Sequence, residues 1–373
     1  MSLGLRRRAV DVDRVRAAVA AVPDPEIGMS LGELDMVHDV SVDRRGQVTV
    51  AVRLTTMNCP LADEIRAAVT QAAASVDEVA GVDVRLDTMD NRQRAAVGEK
   101  LRSTQRPLHS ALGGGPAVYA VASGKGGVGK STVTANVAAA LARQGKRVGV
   151  LDADVWGYSM PQLFGVRRAP IAFEGVMLPV TAYDVALMSI GFFVEDDQPV
   201  AWRGPMLHKA LEQFIADVYW GDVEVLLVDL PPGTGDITLS VLELLPDAAL
   251  LAVTTPQVAA RSVASRVGKL AKESGMPIAG VVENMSAAVC KDCGAHSEVF
   301  GSGGGQLLAE QLDAELCGQV SLSVELREAG DRGVPAVLDA PDSASAVELR
   351  RVAEALPVMR RNVVRRPLPL SVT

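Results

Sequence analysis

The chain has 373 residues, of which 48% are apolar, and this is enough for two or three domains with large buried cores. Its 37 Lys and Arg against 45 Asp and Glu give a net charge of −8, and its aromatic content is 3%; both values argue against a nucleic-acid partner. Four cysteines in a chain of this length favour a reducing cytoplasm over a disulfide scaffold. We expect no membrane span, because no apolar run is long enough. We also expect no signal peptide, because no apolar segment follows Arg6-Arg7-Arg8.

The N-terminal part of the chain predicts a small α+β domain, which we place at residues 9–98. Alternating apolar residues on either side of a turn with hairpin chemistry predict two paired strands, with a helix before them and another after them. The predicted elements are a helix at 11–22, strands at 37–42 and 47–54, a helix at 61–74 and a strand at 81–86.

Cys59 stands just ahead of the second of these helices. A helix N-terminus lowers the pKa of a nearby thiol, which favours transient binding of a metal or a cluster. The alternative is that Cys59 is a small buried apolar side chain.

The next segment separates two domains. A charged helix is predicted at 90–102, and a flexible linker at 99–116, where Pro107 and Gly113-Gly114-Gly115 stand. From 117 to 358 strands and helices alternate, which predicts an α/β domain with a parallel sheet and helices on both of its faces.

A phosphate-binding loop lies at the start of this second domain, between a strand at 118–122 and a helix at 132–144. Its sequence fits the pattern G-x-x-x-x-G-K-[ST]. Glycines allow backbone N–H groups to point at phosphate oxygens, and the helix N-terminus adds partial positive charge. We expect Lys130 to reach the β- and γ-phosphates and Ser131 to bind Mg²⁺. The residues predicted to bind the nucleotide here are Gly124, Lys125, Gly126, Gly127, Val128, Gly129, Lys130, Ser131 and Thr132.

Carboxylates follow two predicted strands of the parallel sheet, at the end where such sheets bind ligands. A strand at 147–151 leads into Asp152-Ala153-Asp154, and a strand at 225–229 ends in Asp229. We expect Asp229 to contact Mg²⁺ through water. Gly233, in the loop that follows, is predicted to sense the γ-phosphate through its N–H. For Asp152 and Asp154 the alternative is a structural helix cap.

Cys290 and Cys293 form a C-x-x-C pair after a strand at 278–286. A tetrahedral thiolate site needs four ligands, so the pair is half a site. Three interpretations of the pair are open: a redox pair, a zinc half-site with His296, or a metal site that a second chain completes. Two chains related by a twofold axis supply four thiolates, which fits a [4Fe-4S] cluster and zinc equally well. A thioredoxin-like redox role is disfavoured because the pair does not open a helix after a first strand.

The loop Lys125-Gly126-Gly127-Val128-Gly129-Lys130-Ser131 resembles that of the deviant Walker A ATPases, which include partition, division-site and nitrogenase-reductase ATPases. The resemblance implies a nucleotide-dependent homodimer in which Lys125 reaches the phosphates of the partner subunit; the alternative is a solvated lysine. It also implies that Asp154 orients the attacking water, with Asp152 in a supporting role. By the same resemblance Asn284 reads the adenine, for which a capping asparagine is the alternative.

The complete set of motifs resembles the Mrp/ApbC family of iron–sulfur cluster carriers, in the form with an N-terminal MIP18-like domain. This family implies a P-loop ATPase that holds a [4Fe-4S] cluster at a homodimer interface and transfers it to apo iron–sulfur proteins, with ATP, Mg²⁺ and scaffold proteins as further partners. The motifs are Asp24-Pro25-Glu26-Ile27-Gly28, Cys59-Pro60, the phosphate-binding loop, Asp152-Ala153-Asp154, Asp229-Leu230-Pro231-Pro232-Gly233-Thr234-Gly235-Asp236, Glu283-Asn284-Met285-Ser286, the C-x-x-C pair and Phe300-Gly301-Ser302-Gly303-Gly304-Gly305.

Two rival interpretations share the ATPase. One is a positioning or partitioning ATPase without a cluster, and the other is a dimer held together by zinc. The basic tail at 359–373 bears on the first of these, since a membrane-targeting helix is conceivable there. Pro367 and Pro369 favour a disordered tail instead, so we expect no membrane partner.

Overall fold

The computed structural model describes residues 10–56, 59–105, 108, 115–194, 204–290 and 293–357. It forms two compact units. Of the described residues, the first unit contains those up to Gln105 together with Ile171–Leu178, and the second contains all the others. The tail predicted at 359–373 lies outside the described residues.

The first unit has a three-stranded sheet in the order β1-β2-β3, in which β1 and β2 are antiparallel and β2 and β3 are parallel. Its strand β2 buries Val48, Val50, Val52 and Leu54 on one face, as its alternating sequence predicts. The elements are α1 (Val12–Ala20), β1 (Val37–Val42), β2 (Gln47–Leu54), α2 (Ala62–Ala74), β3 (Gly81–Thr88), α3 (Asn91–Thr104), β6 (Ile171–Phe173) and β7 (Val176–Leu178).

Two features of this unit differ from the sequence prediction. Helix α3 continues to Thr104, so the first residues of the segment predicted as a linker are helical. The hairpin of β6 and β7 belongs to the first unit although it lies inside the range predicted for the second domain. Its Glu174 packs on α3, where Gly98 has no Cβ to obstruct it and Arg102 donates to the Glu174 carbonyl.

The second unit has a nine-stranded sheet among the described residues, in the order β14-β12-β11-β4-β10-β5-β9-β8, with β13 paired to the end of β12. The strands are parallel except that β8 and β13 run antiparallel to their neighbours. They are β4 (Ala117–Ser123), β5 (Val148–Asp152), β8 (Val180–Ala182), β9 (Val185–Ser189), β10 (Val225–Asp229), β11 (Ala249–Thr254), β12 (Ile278–Val289), β13 (His296–Ser297) and β14 (Leu316–Leu322).

Successive residues of β5 and β11 point to opposite faces of the sheet, and all of them are buried. Both faces of the sheet are therefore covered, as expected for a sheet with helices on its two sides. The predicted α/β fold is therefore confirmed, with antiparallel strands added at its margins. No helix in the described ranges is long and apolar enough to cross a membrane. The helices are α4 (Lys130–Arg143), α5 (Met160–Leu163), α6 (Gly204–Ala216), α7 (Asp236–Leu244), α8 (Val258–Glu273), α9 (Gly304–Leu312), α10 (Val324–Arg332), α11 (Ala336–Asp339) and α12 (Ala344–Ala355), with a 3₁₀ turn at Ile190–Phe192.

The sheet register brings the functional strands together at one edge. Asp229, the last residue of β10, is level with Val121 of β4 on one side and with Asp152 of β5 on the other. Strand β4 ends two residues further on, at Ser123, so the phosphate-binding loop and both carboxylate clusters meet at the carboxyl ends of three adjacent strands.

Candidate functional site

The phosphate-binding loop joins β4 to α4 in a conformation that its glycines permit. Gly127 and Gly129 both have φ of 79°, in the left-handed region that side chains rarely adopt. A Cβ on Gly124 would lie 2.3 Å from the backbone nitrogen of Ala264 in α8. The loop encloses one side of a cavity of about 550 Å³, which also has Asp154, Trp156 and the two prolines of the Asp229 loop in its wall.

Asp229 is the centre of a buried cluster of polar side chains. Lys130 Nζ and Ser131 Oγ each donate to its Oδ2 at 2.6 Å, and Thr134 Oγ1 donates to its Oδ1 at 2.8 Å. The Asp229 side chain is fully buried, so the Lys130 ammonium is its principal charge compensation. The hydroxyl of Ser131 and the carboxylate of Asp229 are oxygen donors of the kind that Mg²⁺ prefers, so these residues fit a magnesium site.

The loop after β5 carries the two other predicted carboxylates. Asp154 Oδ2 lies 3.8 Å from Lys130 Nζ, and its Oδ1 accepts from the Gly157 N–H. Burial raises the pKa of Asp154, and the Lys130 charge opposes that rise. Asp154 is thus placed beside the lysine that the sequence assigns to the phosphates.

Asp152, unlike Asp154, is fully buried, and its carboxylate accepts hydrogen bonds from the backbone of the loop after β5. It accepts from the N–H groups of Asp154, Ser159 and Met160 and from the Ser189 hydroxyl at 2.9 Å. Burial and the nearby Asp229 raise the pKa of Asp152 to about 7. Through these hydrogen bonds Asp152 fixes the backbone that carries Asp154.

We predict that Asp152→Asn gains stability relative to the parent as the pH rises from about 4 to about 7. Over this window an unfolded chain has lost the Asp152 proton, whose ordinary pKa is 3.8, while the folded protein retains it. The parent's free energy of unfolding therefore falls with pH through Asp152, whereas an Asn side chain does not titrate. Urea denaturation of both proteins across this range measures the effect. Any fixed cost of the substitution is equal at every pH, so a constant difference would contradict the prediction.

Two predicted phosphate-contacting groups have partners within the chain. Lys125 Nζ donates to Gln257 Oε1 at 2.8 Å. Gln257 was not among the residues predicted from the sequence. The Gly233 N–H, which we predicted to sense the γ-phosphate, donates to the Ser123 carbonyl at 2.8 Å. Gly233 therefore ties the Asp229 loop to the end of β4 in this structure.

A second cavity, of about 630 Å³, adjoins the first. It is lined mainly by apolar groups of β12 and of the segment from the end of β14 into α10, and it reaches the phosphate-binding loop at Gly129 and Thr132. Asn284 is in its wall, and its Nδ2 donates to the Val128 carbonyl at 2.8 Å. The Asn284 side chain thus holds the phosphate-binding loop and lines the cavity beside it.

The C-x-x-C pair lies at the tip of an exposed hairpin. Strand β12 ends at Val289, which pairs with His296 of β13, and Cys290 and Cys293 are both exposed in the connection. The Cys290 N–H donates to the Ala295 carbonyl and the Gly294 N–H donates to the Cys290 carbonyl. Among the described residues no three His, Cys, Asp or Glu side chains converge as a metal site.

The remaining cysteines lie in the cores or close to them. Cys59 is half-buried, and its carbonyl accepts from the N–H of Ala62 at the start of α2, so it does precede a helix N-terminus. Cys317 is buried in β14, and burial raises the pKa of its thiol. A buried thiol with a raised pKa is a poor metal ligand, so Cys317 is a packing residue.

Several residues of the site carry no sequence signal that we recognised. Thr134 lies just beyond the phosphate-binding motif and returns to Asp229 because one helical turn separates it from Lys130. Gln257 and Ser189 are distant in sequence from the groups they bind. Glu283 belongs to a motif quoted above, but its contacts were not predicted: it is buried and accepts from Gln319 Nε2 and from the Gly305 N–H. A Cβ on Gly305 would lie 2.5 Å from the Glu283 Cβ, so this position has no room for a side chain.

Comparison with protein families gives matches for both parts of the chain. A model described as NUBPL iron-transfer P-loop NTPase matches residues 116–357, and one described as iron-sulfur cluster assembly protein matches residues 12–84. The chain is 47% identical over 367 residues to an iron-sulfur cluster carrier protein of Mycobacterium leprae, covering 96% of each. It is 38% identical over 350 residues to one of Synechocystis sp., covering 92% of this chain and 96% of the relative.

Solved structures agree with the fold. A nucleotide-binding protein of Archaeoglobus fulgidus in complex with ADP matches 64% of this chain and 92% of its own, with 32% identity and a TM-score of 0.53. The cell division ATPase MinD of Pyrococcus furiosus matches 64% of this chain and 97% of its own, with 21% identity and a TM-score of 0.50, and shows the fold alone. The family matches, the carrier relatives and the phosphate-binding loop together show that the chain belongs to the family of iron–sulfur cluster carriers built on a P-loop ATP hydrolase.

Proposed function

We propose that this protein is a cytoplasmic homodimer that binds a [4Fe-4S] cluster between its subunits and transfers it to apo iron–sulfur proteins with hydrolysis of ATP. One observation carries the proposal. Strand β12 forms part of the wall of the cavity beside the phosphate-binding loop, through Asn284, Ala288 and Val289, and the next residue is Cys290 of the exposed pair. The nucleotide site and the thiolates therefore share one strand.

The nucleotide occupies the two adjoining cavities in this proposal. Its phosphates lie against residues 124–132, with Lys130 on the β- and γ-phosphates, and its base lies in the second cavity beside Asn284. Ser131 and, through water, Asp229 hold Mg²⁺, which when bound neutralises phosphate charge. The apolar lining of the second cavity suits the faces of an adenine ring, while the Asn284 amide offers both a donor and an acceptor.

Hydrolysis then requires an oriented water and compensation of the charge that develops on the phosphates. Asp154 lies beside Lys130 and accepts a backbone hydrogen bond that fixes its carboxylate, so it is the group we assign to the water. Lys125 of the partner subunit supplies the additional cation in this scheme. Trp156, 63% exposed at the rim of the phosphate cavity, is the kind of apolar surface residue that a partner chain covers.

We predict that Lys125→Ala lowers ATP turnover by about 10³-fold while ATP affinity and stability stay near those of the parent. Within its own chain Lys125 contacts Gln257, so Gln257→Ala is the matched control: it removes the same contact and keeps the cation. Steady-state hydrolysis and equilibrium ATP binding measure both variants. A loss in Gln257→Ala as large as that in Lys125→Ala would show that the lysine acts inside its own subunit.

Mixing two inactive variants tests the position of Lys125 directly. In a mixed dimer of Lys125→Ala and Asp154→Asn, one site keeps its own Asp154 and faces an intact Lys125 of the partner, whereas the other site lacks both. Random exchange makes half of the dimers mixed, so we expect recovery of about a quarter of the parent activity. No recovery after exchange would place Lys125 in its own active site.

The cluster is the cargo of the proposed reaction. Cys290 and Cys293 from each of two subunits supply the four thiolates that a [4Fe-4S] cluster needs, and the exposed hairpin leaves them accessible to a second copy. The N-terminal α+β domain, proposed at 9–98, is the part that contacts scaffold or recipient proteins, and Cys59 is its candidate for transient cluster contact. A nucleotide-dependent change in β12 would alter how tightly the pair holds the cluster.

Iron, sulfide and oligomeric state measured together test this function. After anaerobic reconstitution we expect about four iron and four sulfide per dimer, with the dimer favoured by ATP, and cluster passage to an apo-protein. Zinc in place of iron and sulfide would support a zinc-held dimer. A full cluster on a strictly monomeric protein would refute the shared site, and the absence of any metal would support a positioning ATPase.

A further inference from the structure

The Ser159 hydroxyl is a buried polar group to which the proposed site assigns no role. Its Oγ is shielded from solvent and has no hydrogen-bond partner among the described residues. The residue itself is held firmly, because its N–H donates to Asp152 Oδ2 at 3.1 Å. Buried hydroxyls nearly always have a partner, so an unsatisfied one next to a cavity points to a ligand.

A helix-capping role does not account for this serine. Ser159 immediately precedes α5, the position that commonly caps a helix, yet its side chain accepts no capping hydrogen bond. The second residue of that helix is Pro161, which has no N–H to donate. The hydroxyl is therefore not needed by the local backbone.

The position of Ser159 in the cavities indicates which part of a ligand it meets. The residues that line both cavities are Gly129, Thr132, Ser159 and Leu163. A nucleotide with its phosphates in the first cavity and its base in the second must pass between them at its α-phosphate and ribose. The α-phosphate lies against the first turn of α4, where Thr132 and the helix N–H groups serve it, which leaves the ribose for Ser159.

We propose that the Ser159 hydroxyl hydrogen bonds to a ribose hydroxyl and makes the site selective for ribonucleotides over deoxyribonucleotides. The inference rests on the nucleotide placement proposed above. A serine hydroxyl both donates and accepts, so it matches a sugar hydroxyl in either direction. A deoxynucleotide leaves the buried Oγ without its partner, for which a loss of about 3- to 10-fold in affinity is expected.

The test is a cycle between one protein hydroxyl and one ligand hydroxyl. Titration calorimetry gives the affinity of the full-length parent and of Ser159→Ala for the magnesium complexes of ADP, 2′-deoxy-ADP and 3′-deoxy-ADP. We expect the parent to bind ADP about 3- to 10-fold more tightly than at least one deoxy analogue, and Ser159→Ala to bind all three within about twofold. Equal discrimination by both proteins, or none by the parent, overturns the proposal.

A stability measurement separates ligand binding from a structural role. Ser159→Ala without nucleotide should have a urea midpoint equal to or above the parent's, because it removes an unsatisfied buried group. Ser343→Ala is the control: it removes a hydroxyl that caps α12 and lines neither cavity, so its midpoint should fall while its discrimination stays. A lower midpoint for Ser159→Ala overturns the proposal. A parent that binds no ADP refutes the nucleotide placement itself, whereas binding without discrimination refutes only the role of Ser159.

Discussion

Lys130→Ala is expected to lower both ATP turnover and the stability of the folded protein. Turnover should fall by about 10³-fold, because a cation fixed on the transferring phosphoryl group is lost. Stability should fall by about 3 kcal/mol, because the buried Asp229 keeps its hydrogen bonds from Ser131 and Thr134 but loses the ammonium group 2.6 Å away. Single-turnover hydrolysis and urea denaturation measure the two effects separately.

A second substitution distinguishes the charge effect from a packing defect. In the double variant Lys130→Ala, Asp229→Asn the fully buried Asp229 carboxylate is replaced by a neutral amide, so most of the stability should return while turnover stays low. Lys146→Ala, which removes an exposed cation beyond the other end of α4, should leave both properties unchanged. If Lys130→Ala alone were as stable as the parent, the pair would contribute nothing. Retained turnover would refute the phosphate-binding assignment.

Replacing both Cys290 and Cys293 by Ala is expected to abolish cluster uptake and leave the ATPase folded. After anaerobic reconstitution, iron and sulfide should fall from about four of each per dimer to background, since the four proposed thiolate ligands are gone. Because both residues are exposed at a hairpin tip, the urea midpoint should change by less than the equivalent of about 0.5 kcal/mol. Iron and sulfide analysis with the cluster absorbance measures the result.

The control for this double variant is Cys59→Ala, which removes a thiol from the first unit. Cluster content at the proposed interface should then equal that of the parent, while the rate of transfer to an apo-protein tests whether Cys59 takes part. Uptake of a full cluster by the double variant would show that the site is misplaced. Loss of the cluster in Cys59→Ala would move the ligand set to the N-terminal domain.

Much of the fold follows from local sequence. Strand β10 runs over Val225–Asp229 as predicted, because a continuous apolar run that ends in a carboxylate is typical of a buried parallel strand. The phosphate-binding loop is equally local, since its glycines and the following helix are fixed by neighbouring residues. Lys130, Ser131, Asp154 and Asp229 come together because parallel strands end at a common edge.

The rest depends on contacts between distant residues, for which one sequence carries no signal. Lys125 meets Gln257, which lies 132 positions away, and the Gly233 N–H meets the Ser123 carbonyl. The hairpin at Ile171–Leu178 joins the first unit through Glu174, although its sequence neighbours belong to the second unit. In each case the partner is chosen by tertiary packing rather than by propensity or spacing.

Cys317 has a practical consequence for any thiol chemistry on this molecule. Its Sγ occupies the space that a side chain on Gly280 would need, 2.2 Å from the position of the missing Cβ, and 8% of the residue is exposed. An alkylating reagent should therefore modify the native protein at Cys59, Cys290 and Cys293. It should reach Cys317 only when β14 separates from β12. The rate of that last modification would report opening of the sheet margin, independently of the cargo and of the nucleotide.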